Sequence, residues 1–479
     1  MSRCLSTCQF VFDSLRLAIT RPSQFRINFL LSNSICQVLA GFLNTGDQFE
    51  NSGNFPIIFV LKIEINRQPI DFMPIILWFV FCSSLFDREQ KEASNNMKKV
   101  AFITPSYPVL SETFIQTEVD AIQACGHDVT VFTFEIEPCE AFFNYDVIEI
   151  GSHIQAENWN HLHIPGFFKA CSFAFKQSGI PKKSLMGTGL KLAMQLADQG
   201  IGHVHAHFCQ HTAAHAIVAA KLLNISCSFV AHGHDVYESP FDVKEKINAS
   251  DFTIAVCDDM YNDFKSMTNG NVKLLHCGVK PEQFTPEKRT DSDQLRLVFL
   301  GRFVEQKGLQ YLLEALVPIA NKLNVHLDVI GTGPMKKEFV SLTSQLGLTH
   351  CVSFLGAKPH SWVKENLSKY DCLVAPFCFS RTGCVDTGPL VLKEAMAVGT
   401  PVITSNVMGC KEIVTNETGL FVKQHSIEDI TQCINQFAEL PQNKRKEMGK
   451  CGRQRVLKYF NAYRQAQKLS QWIEQPNSN

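Results

Sequence analysis

The chain has 479 residues, 45% of them hydrophobic and 19% charged, and its 45 basic and 46 acidic side chains leave a formal net charge of −1. That length exceeds one ordinary hydrophobic core and predicts two to three domains. So even a balance excludes a chain-wide basic field, and nucleic acid is not expected as a partner.

The 18 cysteines are scattered and include no CxxC pair. Cys372 with Cys378, or Cys4 with Cys8, lacks a second pair at metal-ligand spacing, so the cysteines read as reduced, packed thiols of a cytoplasmic protein. Residues 1–96 are rich in Phe, Ser, Asn and Ile, keep no sustained period, and form an unmatched N-terminal extension. Asp13 and Arg16 interrupt its early apolar stretch, which argues against a signal peptide. "FMPIILWFVFCSSLF" (72–86) is uncharged but shorter than the roughly 18–20 residues that span a bilayer. The expectation is that translation starts at Met97 or that the preceding segment is dispensable.

From Met97 onward strand and helix patterns alternate, the mark of a parallel sheet covered by helices. "MKKVAFITPSYPVLSETF" predicts a strand over 99–104 and a helix over 112–124 capped by Ser111 and stopped by Gly126. Strands follow at "DVTVFTF", "IGHVHAHF", "SCSFVAH", "DFTIAVC" and "VKLLHCGV", which makes 97–280 a Rossmann-like first domain. The polar stretch 280–294 reads as a linker. A second series, "LRLVFLG", "VHLDVIG", "VSFLG", "DCLVAPF" and "PVITS", alternates with helices near 308–321, 335–346, 360–369 and 389–398 and forms a second domain over 281–455. The fold class is therefore α/β, with two Rossmann-like, doubly wound parallel-sheet domains facing a cleft, and 456–479 a terminal helical segment. Ligands of such sheets bind at the C-terminal strand ends.

Two runs carry chemistry. In "FLGRFVEQKGLQYLLEAL" a strand ends at Gly301, Arg302 follows, and Lys307 and Gly308 open a helix. Two cations beside free helix N–H groups suit a diphosphate, although both would also serve as solvated loop residues. The run is not a Walker loop, and "GTGP" (331–334) lacks the third glycine of a dinucleotide fingerprint. "DSD" (291–293) lies in the polar linker, not at a strand end as a metal and nucleotide motif would. In "DTGPLVLKEAMAVGTPVI" a helix starts at Gly388, Pro389 and Leu390, Asp386 precedes it and Glu394 lies inside it. Carboxylates so placed accept bonds from vicinal hydroxyls, or act simply as a cap and a surface charge.

Taken together, "GRFVEQKG", the Asp386–Glu394 pair, "EAMAVGTPVI" and "GCKEIV" resemble the retaining glycosyltransferases of family 4. "PSYPVLSETFIQTEV", "HVHAHF" and "FVAHGHDVY" resemble the subgroup that builds bacterial exopolysaccharides such as colanic acid. The resemblance implies the two-domain GT-B fold and a nucleotide-diphosphate sugar donor, with no further cofactor and no metal. It implies that Gly301, Arg302 and Lys307 bind the donor diphosphate and that Glu394 holds the ribose. Gly388, Pro389 and Leu390 would lie near the sugar or distal phosphate, Pro389 without an N–H to offer. Asp386 stands where Glu is commoner in the family, leaving a shorter reach to a sugar hydroxyl. His232 would point at the reacting sugar, with Ser111, Glu112, His207 and Asp235 on the acceptor side. The implied reaction moves a hexosyl unit to a saccharide or lipid-linked saccharide with retention, in the cytoplasm or at the inner face of the membrane. The mixed aromatic and lysine stretch 167–197 offers a peripheral membrane contact or, more plainly, packed helix.

Other readings remain at this point. His203, His205 and His207 share a strand face, and His211 and His215 have the i, i+4 spacing of a zinc helix, so a metal-dependent hydrolase using the 203–234 histidines is one. Thr212 stands where a zinc protease has its Glu base, which weighs against it. A GT-B protein that binds nucleotide sugar without turnover, and a nucleotide-sugar epimerase, are the others.

Overall fold

The computed structural model describes residues 97–109, 112–138, 143–152, 164–287 and 292–476, together with three short antiparallel strands at Arg26–Ile27, Ile63–Ile65 and Gln68–Pro69. The chain divides into two units, 1–96 and 97–479. Within the second unit, the first sheet holds β1 (Val100–Tyr107), β2 (Val129–Ile136), β3 (Asp146–Glu149), β4 (His203–His207), β5 (Ser226–Val230), β6 (Phe252–Ala255) and β7 (Val272–Leu274). They run parallel in the order β7-β6-β5-β4-β1-β2-β3. The central strands are buried along their length, as continuous apolar runs such as "VAFI" require when helices cover both faces.

Helix α1 (Thr113–Ala124) follows β1. Its N-cap is Glu112, without a side-chain capping bond, and Ser111 lies outside the described residues, so the predicted serine cap is not part of the description. Helices α2 (Phe167–Lys176), α3 (Lys182–Asp198) and α4 (His211–Leu223) form a layer in which α4, "HTAAHAIVAAKLL", is apolar nearly all round and packs against both other helices and the sheet. Asn224 ends it in the left-handed conformation. Helices α5 (Val243–Ala249) and α6 (Asp258–Met267) complete this half.

The segment read as a linker is partly core. Pro281 and Phe284 are buried, and Phe284 packs with Val298, Leu373 and Leu392 of the second domain. The second sheet holds β8 (Leu295–Leu300), β9 (Val325–Ile330), β10 (Val352–Gly356), β11 (Cys372–Ala375), β12 (Val402–Ser405) and β13 (Gly419–Val422), parallel in the order β10-β9-β8-β11-β12-β13. Helices α7 (Leu309–Leu316), α8 (Lys336–Gln345), α9 (His360–Asn366), α10 (Leu390–Ala397), α11 (Cys410–Ile413), α12 (Ile427–Glu439) and α13 (Gln442–Tyr459) cover its two faces. The chain then returns. Val279 bridges Asn461, and α14 (Ala462–Glu474) inserts Ala462, Ala466, Leu469 and Ile473 into the core of the first domain. Lys98 fixes its end, with its backbone N–H on Glu474 at 2.9 Å and its Nζ on the Ile473 carbonyl at 2.6 Å. Among the described residues no helix is long and apolar enough to cross a membrane, and residues 72–86 lie outside them.

Candidate functional site at the seam of the two sheets

On the second-domain side, β8 ends at Leu300 and releases Gly301 and Arg302. A single turn, Glu305–Lys307, leads into α7 through Gly308, whose φ of +71° and approach to the Pro376 carbonyl leave no room for a side chain. That turn aims Lys307 across the sheet end. Its Nζ meets Asp386 Oδ1 at 2.8 Å and sits 5.1 Å from the centre of the Phe377 ring. The other carboxylate oxygen, Asp386 Oδ2, is buried without a hydrogen-bond partner.

Past Asp386, Gly388 and Pro389 lead into α10 at Leu390. Two neighbours on that helix are buried charges with different partners. Lys393 Nζ donates to the Cys277 carbonyl of the first domain at 2.7 Å and to the Gly388 carbonyl at 3.4 Å, and burial lowers its pKa. Glu394, only 7% exposed, pairs with His360 Nε2 at 2.9 Å. Neither Lys393 nor His360 was singled out by the sequence, because each is recognisable only through a partner in another strand-helix unit.

On the first-domain side, Asp235 proves to be internal. It is 1% exposed, and its oxygens accept the backbone N–H groups of His232, at 2.8 Å, and Cys209. Burial raises its pKa to about 6, against the pull of those donors. The expected acceptor contact at Asp235 is therefore corrected: with both oxygens turned inward it holds the turn that carries His232. The His232 ring lies 4.7 Å from Phe114 and 4.8 Å from Phe208, and parallel to His207 at 5.9 Å. Its Nε2 is buried and unpartnered, and burial takes its pKa down to about 3, so the ring is neutral near pH 7. Glu112 faces both domains: burial raises its pKa while its neighbours His207 and Arg302 oppose the rise, and its Oε2 has no partner.

The two domains touch here. A Cβ on Gly233 would fall 1.9 Å from the Val385 carbonyl oxygen, and one on Gly383 would fall 2.9 Å from that of Tyr237. Thr382 donates to Glu238 at 2.8 Å. Glu412, from the "GCKEIV" run, accepts the Asp258 N–H at 2.8 Å with one oxygen and meets His276 Nε2 at 2.6 Å with the other. Lys411 reaches Asp259 at 2.7 Å. The strand ends face each other as the two-domain pattern predicts, but the cleft is closed where Gly233 meets Val385.

Residues 280–455 match the family described as glycosyl transferases group 1. Over 396 residues the chain is 22% identical to a putative colanic acid biosynthesis glycosyltransferase, WcaL, of Salmonella typhimurium, covering 76% of this chain and 96% of that protein. It is 24% identical to a putative teichuronic acid biosynthesis glycosyltransferase, TuaC, of Bacillus subtilis, covering 71% and 89%. Among solved structures, sucrose-phosphate synthase from Thermosynechococcus elongatus superposes with a TM-score of 0.61 at 20% identity, over 79% of this chain and 98% of that one. Anabaena HepE in complex with UDP and glucose gives 0.58 at 15%, over 79% and 99%. The chain carries a group 1 glycosyl transferase domain on a GT-B fold.

The histidines divide among several settings. His215 Nδ1 bonds the His211 carbonyl at 2.8 Å, a contact within the helix. His203 is held between Ser226 and Ser228, and His234 pairs with Glu238 at 2.6 Å. Cys372 and Cys378 give their thiols to the carbonyls of Leu373 and Glu305 and form no ligand pair. The metal-dependent hydrolase is the weaker reading beside the glycosyltransferase matches.

Proposed function

We propose that the glycosyltransferase moves a hexosyl unit, with retention at the anomeric carbon, from a nucleoside-diphosphate sugar to a saccharide or lipid-linked saccharide hydroxyl in polysaccharide biosynthesis. The observation that carries the reading is the Lys307–Asp386 pair beside the start of α10, with Asp386 Oδ2 buried and unpaired. An orphaned carboxylate oxygen costs about 1–3 kcal/mol or more, which a sugar hydroxyl offsets by donating to it. Lys307 and Arg302 supply positive charge where a departing diphosphate gathers negative charge, so the donor step needs no metal. As the acceptor oxygen bonds the anomeric carbon, the bond to diphosphate oxygen breaks and the acceptor proton passes to that oxygen. Glu112 and the neutral His232 flank the same seam, Glu394 takes the ribose, and Gly301, Gly388, Pro389 and Leu390 line the donor path. The WcaL and TuaC relatives support a polysaccharide product.

The acceptor side also offers a lipid contact at the inner face of a membrane. Phe168 and Phe175, two turns apart on α2, are 86% and 75% exposed, with Lys169, Lys176 and Lys183 exposed nearby. The test of the reaction is His232→Ala, assayed with candidate donors. Transfer should be lost while nucleoside diphosphate still binds; undiminished transfer, or a product of inverted anomeric configuration by proton NMR, refutes the reading.

A further inference from the structure

Strand alternation places His205 and His207 on the face of β4 that packs under α1, where Glu118 points down at them. Glu118 Oε1 lies 3.1 Å from His205 Nε2 and 3.5 Å from His207 Nε2, and the three donor atoms all fall within 4.8 Å of one another. Both histidines are 0% exposed, and Glu118 is 16% exposed through its side chain. Despite the short distances, His205 Nε2, Glu118 Oε1 and both ring nitrogens of His207 lack an aligned hydrogen-bond partner.

The hydrogen bonds behind the cluster fix what faces Glu118. Ser226 Oγ donates to the Gly202 carbonyl, so it accepts from His203 Nδ1–H at 2.8 Å. With its ring proton on Nδ1, His203 presents a lone pair at Nε2 and takes the Ser228 hydroxyl proton at 2.7 Å. Ser228 Oγ can therefore only accept from His205, at 2.8 Å, which puts the His205 proton on Nδ1. With its proton on Nδ1, His205 thus turns an Nε2 lone pair toward a carboxylate oxygen 3.1 Å away, an arrangement that calls for a cation between them.

We propose that Glu118, His205 and His207 form a binding site for a divalent transition metal, zinc fitting best, in the wall of the first domain. Zinc bonds to imidazole nitrogen and carboxylate oxygen measure about 2.0–2.2 Å, so tetrahedral ligand atoms stand about 3.3–3.5 Å apart, close to the two distances found. Ser228 is the outer partner that orients His205, as metal-bound imidazoles require on their second nitrogen. Three protein ligands leave a fourth position for water. Because His207 stacks on His232, the ion fixes the wall on which His232 rests, without touching the diphosphate. The site goes beyond the proposed transfer reaction and stands independently of the donor's identity.

The test uses the purified full chain, stripped with a chelator and titrated with Zn²⁺ by calorimetry and with Co²⁺ by visible absorption. One ion per chain and a Co²⁺ d–d band are expected. Glu118→Gln, which keeps the side chain's shape, should weaken Zn²⁺ binding at least about 100-fold while the apo circular dichroism and melting temperature stay near those of the parent. His207→Asn gives a second reading should Glu118→Gln fail to fold. His234→Ala should leave binding intact, since His234, Glu238 and Cys384 are the other described group able to hold an ion. No stoichiometric binding, full affinity in a folded Glu118→Gln or His207→Asn variant, or loss of binding in His234→Ala overturns the site.

Discussion

Replacing Lys307 by Met removes the ammonium but keeps a flexible apolar stem over Phe377, so the result isolates charge. At 2.8 Å from Asp386, with the two side chains 19% and 22% exposed, the attraction at an effective dielectric of about 20 is about 6 kcal/mol. Desolvation of both groups offsets most of it and leaves a net coupling of about 1–3 kcal/mol. Lys307→Met alone leaves Asp386 with both oxygens unpaired and should destabilise the fold by about 2 kcal/mol. In Asp386→Asn the remaining lysine can turn to water, so this variant should lose less. In the double variant neither charge remains, and urea unfolding of all four proteins should return the coupling as a departure from additivity. Turnover responds differently. Loss of a cation that acts on the departing diphosphate costs about 3–4 kcal/mol, or roughly 100- to 1,000-fold in kcat, and Asp386→Asn cannot restore it. Additive unfolding energies together with a kcat for Lys307→Met within twofold of the parent would refute both the pairing and the diphosphate role.

Glu394→Gln keeps the shape but weakens the contact with His360 and with a ribose; donor KM should rise about tenfold with kcat nearly unchanged, and a kcat loss with unaltered KM would contradict a binding role. Asp235 takes up its proton at about pH 6 in the folded chain against about 3.8 when unfolded, so the fold binds the proton more tightly. Stability then falls as pH rises from 3.8 to 6, by on the order of 3 kcal/mol, and Asp235→Asn should flatten that slope in urea titrations; an unchanged slope would dismiss the assignment. Phe168→Ser with Phe175→Ser should reduce co-sedimentation with anionic phosphatidylglycerol vesicles severalfold while turnover on a water-soluble acceptor stays at the parent level. Equal sedimentation would remove α2 as the lipid contact.

The architecture was legible because both sheets are covered on both faces. Their central strands therefore read as largely apolar runs, and most of them are followed by a helix. Ends were less legible. The helix expected over 308–321 stops at Leu316, ahead of Pro318, which brings no N–H to a next turn. The stretch 360–369 splits into α9 and a tight turn over Leu367–Lys369. At the site, Lys307 and Asp386 were visible as residue types at a helix start, but their pairing joins positions 79 apart. Lys393 and Glu412 looked like ordinary helix charges. Their partners, the Cys277 carbonyl and His276, lie 116 and 136 residues away, in the other domain.

The histidines make the same point most sharply. Sequence spacing groups 203, 205, 207, 211 and 215 as one cluster, yet the chemistry of each ring is set by the polar atom that faces it. For His203 that atom comes from serines on β5, and for His215 from its own helix. For His205 and His207 it is the carboxylate of Glu118, a residue that the sequence shows only as a helix-favouring acid on α1. The metal reading took His203, His205 and His207 as one strand face and His211 with His215 as an i, i+4 pair; of these five, only His205 and His207 fall among the described residues in a group able to hold an ion. The two that do converge are separated by one residue on a strand, where alternation puts them on the same face and a helix from elsewhere supplies the third ligand.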